Sequence, residues 1–184
     1  MKKSALAISA LSLAMLSGVA SATVNDANLN ANNVRFLGTV TDTTCNLIPY
    51  VNGSATNVVN VGTVAKGLDG TAVEFLLKPD GKNQCDAIVD TNTPANNKTA
   101  HIAFMGALTD TGLANQTGTA VDAYVEIVAI NSTQTTDPIT QSDDVRQIAG
   151  TTLVTDGAKF TAKLKGGQTV GDYQSAIAYQ VSYQ

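Results

Sequence analysis

The sequence predicts an all-β sandwich. Three observations carry that prediction: an abundance of Thr, Val, Ala, Asn and Gly with no Trp, short apolar runs punctuated by turn residues, and no helical periodicity beyond a turn or two. Strands are expected at residues 34–40, 58–64, 72–77, 101–105, 121–130, 160–164 and 175–183. Turn signals separate them, among them Lys78-Pro79-Asp80-Gly81, Asn131-Ser132, Thr155-Asp156-Gly157 and Lys165-Gly166-Gly167. Residues 90–99 and 132–144 are too polar for a core and are expected to be surface loops, Pro138 arguing against a helix in the second.

Residues 1–22 read as a secretory signal peptide: Lys2 and Lys3 form a positive start, residues 5–16 an apolar run, and Ala20-Ser21-Ala22 a cleavage site. The apolar run falls short of the roughly 20 residues that a membrane-spanning helix needs. Cleavage leaves 162 of the 184 residues, enough for one domain with its own core. Losing Lys2 and Lys3 takes the formal charge from −4 to −6. An acidic surface without basic clusters points away from nucleic acid and anionic lipid as partners. The two cysteines, Cys45 and Cys85, are expected to form one disulfide in an oxidising compartment. With no Cys-x-x-Cys spacing and no nearby histidine, a metal site is the weaker reading.

Residues 175–184 alternate apolar with small or polar side chains up to the last residue, placing Ile177, Tyr179, Val181 and Tyr183 on one face of a half-buried strand. At the other end, residues 23–33 alternate in their centre, with Ala27, Leu29 and Ala31 on one face, yet are too weakly apolar to hold a place in their own core. Such a segment is either a disordered tail or a strand that docks on another molecule. An immunoglobulin-like sandwich short of its last strand would expose a sheet edge and a strip of core. A spare strand from a neighbour would fill that gap, and a head-to-tail contact that does not close on itself builds a filament.

Here the residues resemble a known family. Val34-Arg35-Phe36-Leu37-Gly38-Thr39-Val40 followed by Cys45 is similar to the first strand of chaperone-usher fimbrial subunits. Asn60-Val61-Gly62-Thr63-Val64 resembles the family's second strand, Asn83-Gln84-Cys85-Asp86 its second-cysteine region, and Ile102-Ala103-Phe104-Met105-Gly106 its fourth strand. Tyr179-Gln180-Val181-Ser182-Tyr183-Gln184 resembles its terminal strand with a penultimate tyrosine. The resemblance spans essentially the whole mature chain.

It implies an incomplete immunoglobulin-like β-sandwich, residues 34–184, that lacks its final strand and receives one from a neighbouring subunit. Residues 23–33 would be the donor extension, directing Asn25, Ala27, Leu29, Ala31 and Asn33 into the neighbour, with Leu29 the main apolar anchor. Ile177, Tyr179, Val181, Tyr183 and Gln184 would border the acceptor groove, which a periplasmic chaperone engages before assembly. Cys45 and Cys85 would pair. The implied partners are other copies of the chain, a periplasmic chaperone, an outer-membrane usher, and a tip adhesin or minor pilins, with a host receptor left open. The implied location is a cell-surface fimbria reached by export through the periplasm. Ala31 departs from the pattern, since many relatives carry glycine there.

Enzymatic motifs are missing: there is no G-x-S-x-G elbow, no H-E-x-x-H and no Walker-type loop. The lone histidine, His101, starts an expected strand and is read as structural; Asp90, Asn92 and Asn96 lack the spacing of a calcium loop. No cofactor is expected. The Asn-x-Ser/Thr triplets at Asn52, Asn97, Asn115 and Asn131 are read as composition, not as glycosylation sites. The reading is therefore a major structural subunit of a chaperone-usher fimbria. A minor adaptor pilin of the same fibre and a soluble secreted β-sandwich binding module are the alternatives, while 162 residues leave no room for a two-domain tip adhesin.

Overall fold

A computed structural model of the chain describes residues 45–81, 85–134 and 136–184. Within them run β1 (Leu47–Val51), β2 (Ser54–Ala55), β3 (Val73–Pro79), β4 (Thr99–Gly106), β5 (Leu113–Ala114), β6 (Tyr124–Ala129), β7 (Val145–Ala149), the helix α1 (Gly150–Asp156), β8 (Ala158–Lys165) and β9 (Ile177–Tyr183). All pairings are antiparallel, in a six-stranded sheet ordered β2-β1-β3-β8-β6-β5 and a three-stranded sheet ordered β7-β4-β9.

Period-2 alternation builds the core between the sheets. Ala100, Ile102 and Phe104 of β4 are buried against Val125, Ile127 and Ala129 of β6 and Ala158, Phe160, Ala162 and Leu164 of β8 in one cluster. Phe160 is the joint: it stacks on its cross-strand partner Phe75 and meets Phe104 of the other sheet edge-on, each at 5.3 Å between ring centroids. Cys45 and Cys85 form a disulfide with a Cα–Cα distance of 4.7 Å, closing a separation of 40 residues at the margin of that core. On the chain-entropy account such a closure stabilises the fold by about 4 kcal/mol.

Several expectations are corrected. Residues 58–64 form no strand. The Thr56 hydroxyl accepts from Val58 N and the Asn60 side chain from Gly62 N, which sits at φ +75°. These local bonds compete with a ladder and bend the chain, so Val59, Val61 and Val64 pack on the core from an irregular segment. The expected turn at residues 155–157 is the end of α1, a helix too short to stand without tertiary packing; Leu153 is buried beneath it. Gly157 closes α1 at φ +81°, its N–H bonded to Leu153 O, where a β-carbon would lie 2.8 Å from Lys78 Cγ. Residues 132–144 are a loop, but Ile139 within them is fully buried. The strands expected at 72–77, 101–105, 121–130, 160–164 and 175–183 appear with shifted ends, whereas the one expected at 34–40 lies outside the described residues.

Arg146 occupies a core-facing position of β7 and is fully buried. Its guanidinium donates to the carbonyls of Asp137, Pro138, Asp143 and Val145 and pairs with the Asp143 carboxylate at 2.9 Å. Arg146 thus holds the 136–144 loop by its backbone. Arg146→Ala should lower stability by about 2–4 kcal/mol, because those carbonyls lose their donor. Asp143→Asn should cost under about 1 kcal/mol, since that carboxylate is half exposed. Urea denaturation of both variants checks the contrast.

Candidate functional site

β9 is the outer strand of the smaller sheet, with β4 as its neighbour among the described residues. The backbone bonds fix what it presents. Gln184 and Thr99 exchange both bonds, Thr99 N to Gln184 O at 2.7 Å and Gln184 N to Thr99 O at 3.0 Å. Phe104 N turns the other way, to Asp144 O at 2.9 Å. An antiparallel residue sends N–H and C=O to the same side, and sides alternate along the strand. Continuing the register, Ala178, Gln180 and Ser182 face β4, while the backbone groups of Ile177, Tyr179, Val181 and Tyr183 point away from it.

The side chains of those same four residues pack inward against the core. Tyr179 Oη donates to Leu47 O at 2.8 Å and Tyr183 Oη to Cys45 O at 2.6 Å. Both bonds cross to the larger sheet, next to the disulfide. Gln184 is exposed, and its backbone pairs with Thr99. Cys45, Cys85, Tyr179 and Tyr183 are therefore gathered at one place. Asn25, Ala27, Leu29, Ala31 and Asn33 lie outside the described residues, as does the signal segment.

The chain is 38% identical to the F107 fimbrial protein of Escherichia coli, with 96% of each covered. It belongs to the fimbrial protein family. It is also 29% identical to the K99 fimbrial protein of Escherichia coli, covering 100% of this chain and 99% of that one. Among solved structures, the P pilus rod subunit PapA matches 83% of the fimbrial chain and 100% of its own, at 15% identity and a TM-score of 0.47. No family model matches.

The lead-in to β9 in this fimbrial chain is tied down by side chains that sequence reasoning passed over. Asn115 uses its whole amide: Nδ2 donates to Ala120 O and Asp172 O, and Oδ1 accepts from Gly118 N and Gln174 N. Asp122 accepts from Gln168 N at 2.6 Å and Thr169 N at 3.0 Å, bonds that hold its carboxyl below the usual range. Tyr173 Oη donates to Leu113 O and Ser175 Oγ to Ala114 O. The available signal for Asn115 was its place three residues before Gly118, where short polar side chains commonly bond the backbone, whereas no local pattern marks Asp122 as the partner of residues 168–169.

Other singled-out residues have local work. His101 is half-buried in β4 opposite Gln147 and Ser182. The Asp90 carboxylate accepts from Thr93 N, Asn92 N and the Asn96 amide, bonds that lower its pKa while shaping the 90–97 loop. Among the described residues no three His, Cys, Asp or Glu side chains form a metal-sized group.

Burial pushes the Tyr173 and Tyr183 phenols up to about 12, and raises that of Tyr179. The native state thus holds these protons more tightly than an unfolded chain does. Their contribution to stability is complete below about pH 10, the ordinary tyrosine value, and is lost as pH rises through about 12. Denaturant midpoints should accordingly fall between those values, with tyrosinate absorbance appearing together with loss of the β-sheet signal. Ionisation of these tyrosines near pH 10 with the fold intact would contradict their burial.

Proposed function

We propose that this chain is the major structural subunit of a chaperone-usher fimbria and polymerises head to tail by strand donation, with no chemical turnover. The observation that carries the reading is the double character of β9. Ile177, Tyr179, Val181 and Tyr183 point their side chains to the core and their backbone N–H and C=O groups away from β4. An edge of that kind is a template for one more strand. Seven residues of β9 offer about 20 Å of edge.

The segment at residues 23–33 supplies eleven residues that alternate in their centre, long enough to span it. Asn25, Ala27, Leu29, Ala31 and Asn33 are the side chains assigned to the neighbour's groove. The fimbrial relatives, matched over nearly their whole lengths, support the assembled and surface-exposed state. Before assembly the same edge needs a temporary partner, the role assigned to a periplasmic chaperone. The outer-membrane usher then orders addition behind a tip adhesin or minor pilins. Among the described residues β4 is the one neighbour of β9, and a soluble sandwich that works alone would leave such an edge to chance pairing, which secreted monomers avoid. A shaft role, as opposed to a minor adaptor, predicts that this chain dominates the mass of isolated fibres.

Deleting residues 23–33 should leave a subunit that still co-purifies with its chaperone but adds nothing to a fibre, seen as loss of the polymer ladder on unboiled gels. Normal filaments from the truncated chain would refute donation by this segment. Leu29→Asp should slow subunit exchange by at least about tenfold, since a carboxylate must enter an apolar groove. Wild-type exchange by that variant would remove Leu29 as the anchor.

A further inference from the structure

The two tyrosine hydroxyls on β9 occupy a particular set of carbonyls. In β1 and the residues before it, Asn46 O accepts from Asp80 N at the end of β3, so even-numbered groups face β3. Odd-numbered carbonyls therefore point to the opposite edge of β1. Pro49 O confirms this direction by accepting from Thr56 N beyond β2 at 3.0 Å. β2 pairs with Tyr50 and Val51, leaving the stretch from Cys45 to Leu47 beyond its reach. On that stretch the odd carbonyls are those of Cys45 and Leu47, the two acceptors of Tyr183 and Tyr179.

We propose that Tyr179 and Tyr183 are positioning residues that select which sheet edge takes an incoming strand: their hydroxyls cap the β1 edge while holding β9 in place beside it. The inference rests on the strand-donation reading above. Among the described residues, the Cys45–Leu47 stretch and β9 both carry backbone groups that no ladder engages, and either could template an extended segment. A hydroxyl on each outward carbonyl of the Cys45–Leu47 stretch removes acceptors that a strand would need there. The same two bonds fix the distance of β9 from the larger sheet and so the width of the space beside it. The disulfide at Cys45 holds the acceptor side of this arrangement. Tyr173, bonded to Leu113 O on β5 at 3.0 Å, anchors the lead-in to β9 in the same manner and leaves the β1 edge untouched.

The test uses the secreted mature chain and a synthetic peptide of residues 23–33 carrying a photo-crosslinking group in place of Leu29. Crosslink sites are mapped by mass spectrometry for the wild type, Tyr179→Phe, Tyr183→Phe and the double variant. In the wild type, crosslinks should fall on β9 residues. In the double variant a fraction should move to residues 45–51, and uptake at β9 should slow by about fivefold for each hydroxyl removed, the loss of roughly one net hydrogen bond apiece. Tyr173→Phe serves as the control, removing an equivalent tyrosine-to-carbonyl bond; it should lower thermal stability without moving the crosslinks. If the double variant, shown folded by near-ultraviolet circular dichroism, takes the peptide only at β9 and at the wild-type rate, edge selection is refuted. If it does not fold, the two single variants decide by the same criterion. Failure of the wild type to crosslink at β9 at all refutes strand donation itself, a result separate from either.

Discussion

The pairing of β9 with β4 sets everything else about this molecule. Because Gln184 and Thr99 exchange both backbone bonds, the direction of every N–H and C=O along β9 is fixed. Shifting the register by one residue would turn the backbone groups of Ile177, Tyr179, Val181 and Tyr183 toward β4 and their side chains outward. Neither an outward hydrogen-bonding edge nor an apolar inner wall would survive that shift. The register is held by burial: Ala100, Ile102 and Phe104 on β4 have no exposed alternative.

The sandwich around this pair is built to hold it still. Phe160 ties the larger sheet to Phe104 on the strand that carries β9. On the other side of β4, β7 sends the buried guanidinium of Arg146 into the loop that ends at Asp144, whose carbonyl bonds Phe104 N. Burying a charge is costly unless it is fully engaged, and the five bonds around Arg146 meet that demand except at Nε. Asn115, Asp122 and Tyr173 perform the matching task at the lead-in, using side chains where no regular ladder exists.

The sequence showed the strands that obey simple alternation, β3, β4, β6, β8 and β9, since one buried face leaves a period-2 trace. It hid those that break it. Pro49 interrupts β1, and is tolerated because its nitrogen faces away from β3, so the β1–β3 ladder loses no bond. Arg146 stands at a core-facing position of β7, a strand the alternation did not show, because its charge is satisfied by loop carbonyls that no local pattern reveals. Residues 58–64 made the opposite error: Val-rich and extended in appearance, they are bent by Thr56 and Asn60. At the candidate site, the inward face of β9 and the Cys45–Cys85 pair were legible, but the partners of Tyr179 and Tyr183 were not. Those partners are backbone carbonyls more than 130 residues away in sequence.

Strand donation makes amide protection along β9 depend on assembly with a two-residue alternation. Residue-resolved hydrogen exchange, on unassembled subunit and on fibres, measures this directly. In the unassembled chain the amides of Ala178, Gln180, Ser182 and Gln184 should be protected by β4, and those of Tyr179, Val181 and Tyr183 should exchange much faster. In the fibre all seven should be protected, the second set by the backbone of the neighbour's residues 23–33. Fibres in which Tyr179, Val181 and Tyr183 still exchange freely would contradict strand donation at this edge.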